Sequence, residues 1–186
     1  MNTNEIHNSL ERIIQQYSLS FAAKLFIEES LEEDDLMLVF GLTQAIKAEN
    51  KQYWGRELGK CWERIVIQLC RQTCDNFGTA IREGQDELCD LVVGLDAIDT
   101  KYRIGSGDSG TLKKFRQYAA RLRQMGYNPV FLILRNDSLP QAINAGRMGG
   151  WTLRVGSETY SYLRQATGFD LESWLKARSD RYNIRP

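Results

Sequence analysis

Apolar positions early in the chain recur every three or four residues. Ile6, Leu10, Ile13, Ile14 and Tyr17 have the spacing of a helix buried on one side. Phe21, Ala22, Leu25 and Phe26, with Glu28 and Glu29, predict a second helix. A third is predicted over 36–48, opened by Asp34 and Asp35, whose charge suits a helix N-terminus. Residues 1–50 therefore read as a small helical subdomain. A long helix is predicted over 53–74, with Trp54, Leu58, Cys61, Trp62, Ile65, Val66, Leu69 and Cys70 as its apolar stripe.

Beyond that helix the pattern becomes β-rich. Strands are predicted from Phe77 to a stop at Gly84, over 88–93 and over 97–104, the last two centred on Gly94-Leu95. A loop over 105–110 leads into an amphipathic helix marked by Leu112, Phe115, Ala119, Leu122 and Met125. The unbroken apolar run 129–134 is the mark of a strand covered on both faces. A short helix (139–145), a strand (151–155) and two final helices follow, with Ser157 and Asp170 as expected N-caps. The order α-β-β-β-α-β-α-β-α-α over 51–186 predicts a mixed sheet flanked by helices, in the α/β class.

Composition changes this picture little. Of 186 residues, 42% are hydrophobic and 26% charged, which excludes disorder as the main state. No run approaches the length of a membrane span, and no secretory signal is visible, so a cytoplasmic protein is expected. Cys61, Cys70, Cys74 and Cys89 lack the tight pairing of a zinc site and read as reduced thiols. Charge is more informative. The 24 basic and 24 acidic residues balance, yet residues 1–100 hold a net −9 and residues 101–186 a net +9. Either the halves neutralise each other or the second half meets a polyanion.

The candidate chemistry lies in the hairpin. A two-residue turn at Gly94-Leu95, with Gly first as type II′ requires, sets Asp90 opposite Asp99. Their Cβ atoms would be about 4.5–5.5 Å apart. Lys101 emerges on the face of Asp99. Two opposed carboxylates repel, a penalty that a divalent cation removes, and hard oxygen ligands suit Mg2+. An ammonium beside them can stabilise charge developing on a phosphate. Glu63, next to the stripe of the long helix, can point into the same pocket; Glu57 is a weaker candidate. A solvent-facing polar hairpin is the alternative, but Leu91, Val92, Val93, Ala97 and Ile98 are apolar on both faces. His7, the only histidine, lies far in sequence from these acids.

Glu63 on a helix, then Asp90, then Asp99-Thr100-Lys101 resembles the PD-(D/E)XK nuclease superfamily. The succession of helix, three-strand meander, helix and strand over about residues 53–156 is similar to that superfamily's αβββαβ core. The resemblance implies that Asp90 and Asp99 are metal-binding acids, Lys101 the catalytic lysine, the Thr100 carbonyl a further metal ligand and Glu63 the helix glutamate. It implies Mg2+ as cofactor, with Mn2+ able to substitute. Cys89 stands where the motif's proline would be, and the second acid is Asp rather than the commoner Glu. The size and lone core resemble a type II restriction endonuclease, and the stretch from Asp99 to Lys114 is similar to the ApaLI-like group. Double-stranded DNA and a homodimer are then the expected partners. A structure-specific or repair nuclease and a non-catalytic DNA-binding protein are the alternatives.

DNA would sit beside the hairpin. Arg103, then Ser106, Asp108 and Ser109 in the glycine-rich loop, are candidate contacts. Lys113 and Lys114 open a helix that has five basic residues and no acid over 111–125. Arg135 and Asn136 follow the apolar strand and are suited to reading bases. Trp151 and Trp174 read as core residues.

Overall fold

The computed structural model describes residues 14–15, 30–105 and 109–184. The helices expected over 4–17 and 21–29 lie outside the described residues, except Ile14 and Gln15, which are helical. His7, Ser106 and Asp108 also lie outside them.

Helices α1 (Asp35–Val39), α2 (Gln44–Glu49) and α3 (Lys51–Thr73) precede β1 (Phe77–Glu83), β2 (Asp86–Val93) and β3 (Asp96–Lys101). Then come α4 (Ser109–Gln124), β4 (Asn128–Ile133), α5 (Pro140–Gly149), β5 (Thr152–Val155), α6 (Ser157–Thr167) and α7 (Leu171–Lys176). Among the described residues the five strands form one open sheet in chain order. β2 runs antiparallel to both neighbours, while β3, β4 and β5 are parallel. The protein is thus a mixed α/β fold.

Each face of the sheet has its own core. Leu91, Ile98, Val130 and Leu132 pack beneath α3, α1, α6 and α7 through Leu58, Trp62, Val66, Leu36, Met37, Leu163 and Leu175. Val92, Ala97, Phe131 and Ile133 pack beneath α4 and α5 through Phe115, Ala119, Leu122 and Ala142. Alternate side chains of β4 enter opposite cores, which is why its sequence reads as an unbroken apolar run. Phe131 stacks on Trp151 with ring centroids 4.0 Å apart.

Two local expectations are corrected. The helix expected over 36–48 is broken into α1 and α2: Gly41 turns at φ +55°, and Thr43 caps α2 by accepting from the Ile46 N–H. The N-cap of α6 is Gly156, at φ +55°, rather than Ser157. Asp170 does cap α7, accepting from Ser173 N–H at 3.0 Å. Residues 35–49 pack into the same core as the sheet, since Leu36, Met37, Val39 and Leu42 are all buried there. No helix among the described residues is long and apolar enough to cross a membrane. The four cysteines are free thiols, and burial pushes Cys70 up to about 12 and Cys89 up to about 11, so both stay protonated.

Candidate functional site

The hairpin forms in the expected register. Val93 pairs with Asp96, Val92 with Ala97 and Leu91 with Ile98. Gly94 takes φ +60° and Leu95 an ordinary φ, the pattern of a type II′ turn. Beyond Leu91 and Ile98 the two strands keep their outer partners and lose each other. Cys89 stays paired to Ile81 of β1, and Thr100 to Leu132 of β4. A bulge in β1–β2 pairing beside Ile81 accompanies this splaying.

Asp90 fills the gap with its side chain. Its Oδ2 accepts two hydrogen bonds from Thr100, from the backbone N–H and from Oγ1, both at 2.6 Å. Asp99 is buried at 9% exposure and accepts an ion-paired hydrogen bond from Lys101 Nζ. Lys101 lies on the α4 face, its Nζ 5.8 Å from the Phe131 ring centroid.

The electrostatics tie these groups into one cluster. Burial, and then the charges of Asp90 and Glu63, push the Asp99 carboxyl up to about 6 against the pull of Lys101. Burial opposes the charge of Lys101, yet Asp99, Asp90 and Glu63 outweigh it and raise the ammonium above its ordinary value. Half-buried Glu63, on α3, is raised by burial and by the charges of Asp90 and Glu87. Glu63, Asp90, Asp99 and Lys101 are therefore coupled through their charges. Glu57 pairs instead with Arg56 and Lys60 on the exposed side of α3.

Among the described residues, no three His, Cys, Asp or Glu side chains gather closely enough to hold a metal ion between them. Mg2+ does not require such a cage: one or two carboxylates, waters and a substrate phosphate suffice. Asp90 and Asp99 provide two hard carboxylates. The Thr100 carbonyl faces the β2 side of the strand, as its N–H does. This donor set fits magnesium bound in that manner.

The expected DNA contacts divide. Lys113 and Lys114 are exposed in the opening turns of α4, the helix that follows β3 in the chain. Ser109 begins that helix. Asn136 is exposed. Arg135 is a correction: its guanidinium is buried at 4% exposure and cannot reach a base. It bonds Asp34 at 2.8 Å, Asp137 at 2.9 Å and the carbonyls of Ser30 and Glu32. Arg103 is likewise mostly buried and spent on Asp137, bonding its carbonyl at 3.1 Å. Farther along α4, Arg121 pairs with Glu83. Trp151 is core, but Trp174 is 39% exposed beneath the Arg178 guanidinium.

Sequence reasoning missed the clamp of Thr100 on Asp90 and the buried Asp34–Tyr102–Arg135–Asp137 network. The nearest signal for the network was the Arg-Asn-Asp run at 135–137, an arginine two residues from an acid. Comparison of the chain with known protein families, curated proteins and solved structures finds no match.

Proposed function

We propose that this chain is a Mg2+-dependent endonuclease that hydrolyses phosphodiester bonds of double-stranded DNA, acting in the cytoplasm as a type II restriction enzyme of the PD-(D/E)XK kind. The observation that carries the reading is the Asp99–Lys101 ion pair beside the Thr100-bound Asp90 where the β2–β3 hairpin splays, with Glu63 coupled to them through its charge. The succession α3-β1-β2-β3-α4-β4 supports it, because that order is the αβββαβ core the resemblance implies. Cleavage of a palindrome calls for two copies related by a twofold axis, one site per strand.

Asp90, Asp99 and the Thr100 carbonyl would hold the metal, and Mn2+ can take the place of Mg2+. When bound, the ion would offset phosphate charge and acidify an attacking water. Lys101, kept charged by its acidic neighbours, sets a positive charge beside the phosphoryl oxygens as negative charge builds on them. Glu63 is held more basic than an ordinary glutamate and is suited to accept a proton at its carboxylate. Lys113 and Lys114 would bind flanking phosphates without reading sequence.

The test is incubation of the purified protein with mixed-sequence plasmid DNA in magnesium, with and without EDTA, beside Asp90→Asn. Discrete fragments that vanish with EDTA and in the variant are expected. A smear would reassign the chain to a nonspecific nuclease, and intact plasmid under every condition would overturn the enzymatic reading.

A further inference from the structure

The geometry points to Thr100 as a positioning residue: its hydroxyl, with its own N–H, fixes the Asp90 carboxylate for metal binding. The inference rests on the metal-dependent reading of this site.

Thr100 has two donors on one oxygen. Both N–H and Oγ1 reach Asp90 Oδ2 at 2.6 Å. The arrangement follows from the splayed hairpin. β2 and β3 stop pairing after Leu91 and Ile98, so the Thr100 N–H meets the Asp90 side chain instead of a β2 backbone carbonyl. That single bond would leave the carboxylate free to swing about it. The hydroxyl adds a second donor from a different direction, and the β-branched side chain restricts its own rotation. With Oδ2 so occupied, Oδ1 is the oxygen left for a cation. Thr100 is itself buried in the sheet, paired with Leu132 of the parallel strand β4, and therefore makes a rigid anchor.

Groups that orient a metal ligand without touching the metal typically cost about 10- to 100-fold in metal affinity or activity when removed. Thr100→Val keeps the shape and the N–H and deletes the hydroxyl. Thr100→Ser keeps the hydroxyl and deletes the methyl. A purely structural role would penalise both changes; a positioning role is rescued by serine.

The experiment titrates Mn2+ into the full chain without DNA and follows the free-ion signal by electron paramagnetic resonance. Wild type should bind, and Asp90→Asn should lose that binding. Thr100→Val should bind about 10- to 100-fold more weakly, and Thr100→Ser close to wild type. Thr100→Ala, read the same way, serves if the valine variant fails to fold. In a cleavage assay the hydroxyl-free variant should need correspondingly more magnesium for half-maximal rate. If Asp90→Asn loses Mn2+ while the Thr100 variants all bind like wild type, the positioning role is overturned and the metal site stands. If wild type and Asp90→Asn bind Mn2+ equally or not at all, the metal reading is overturned and the inference falls with it.

Discussion

Asp99→Asn should make the metal-free protein more stable, and only above a defined pH. The Asp99 carboxyl rises from an ordinary 3.8 to about 6, because burial and the charges of Asp90 and Glu63 outweigh the attraction of Lys101. The shift is roughly 2 units, or about 3 kcal/mol for keeping this group ionised in the fold. The sign follows from linkage. The native state holds the Asp99 proton more tightly than the unfolded chain does, so wild-type stability falls as pH rises from about 4 to about 6. Asparagine cannot ionise and escapes that fall. It still offers Lys101 an oxygen acceptor, and Asp90 and Glu63 continue to offset the ammonium. The gain should be near zero at pH 4 and reach about 3 kcal/mol at pH 8, or roughly 6–12 °C in Tm for a domain of this size. Urea unfolding in EDTA at several pH values would measure it. Adding Mg2+ should narrow the gap at pH 8, since an ion that binds only native wild type stabilises only wild type. A variant less stable than wild type at pH 8, or an offset that does not change with pH, would refute the reasoning. The Asp99–Lys101 pair would then stabilise the fold outright.

Other consequences concern the cations. Lys101→Ala should bind DNA in calcium nearly as wild type does, yet cleave at least about 100-fold more slowly in magnesium, the scale of one lost electrostatic contact; near-normal cutting would remove Lys101 from the chemistry. Replacing Lys113 and Lys114 together by Ala should flatten the salt dependence of DNA binding by about 2 units of log K per log salt, and an unchanged slope would place α4 away from the DNA. Arg135→Ala should cost about 3–5 kcal/mol in urea unfolding, because Asp34 and Asp137 lose their buried partner. A stable Arg135→Ala protein with weakened DNA binding would instead return Arg135 to the interface.

Local sequence carried much of this fold. The apolar stripe of α3 and the continuous run of β4 each report which surfaces are covered, since periodicity depends on near neighbours in the chain. Gly94-Leu95 set the turn and the first three pairs of the hairpin, but the ladder ends at Leu91 and Ile98, and Asp90 turns its carboxylate to Thr100 instead of pairing with Asp99. The juxtaposition of Asp99 and Lys101 was legible because a strand alternates its faces, so residues two apart share one. The single helix expected over 36–48 failed where Gly41 adopts a left-handed turn, a choice that helical periodicity alone does not report.

What only the tertiary structure decided is the fate of the charged and aromatic side chains. Arg135 looks like a base reader in sequence, but its partner Asp34 stands 101 residues away, and the pair is buried together. Burying a guanidinium is costly unless acceptors converge on it, and whether they do depends on how α1 docks against the end of β4. Trp174, apolar by composition, remains exposed because α7 lies at the rim of the core. The Thr100 clamp exists only because β2 and β3 part company to keep their outer partners, an outcome of the five-strand sheet as a whole. Backbone pattern is a property of neighbours along the chain, and sequence displays it. Desolvation and pairing of charge are properties of neighbours in space, and they emerge when distant elements meet.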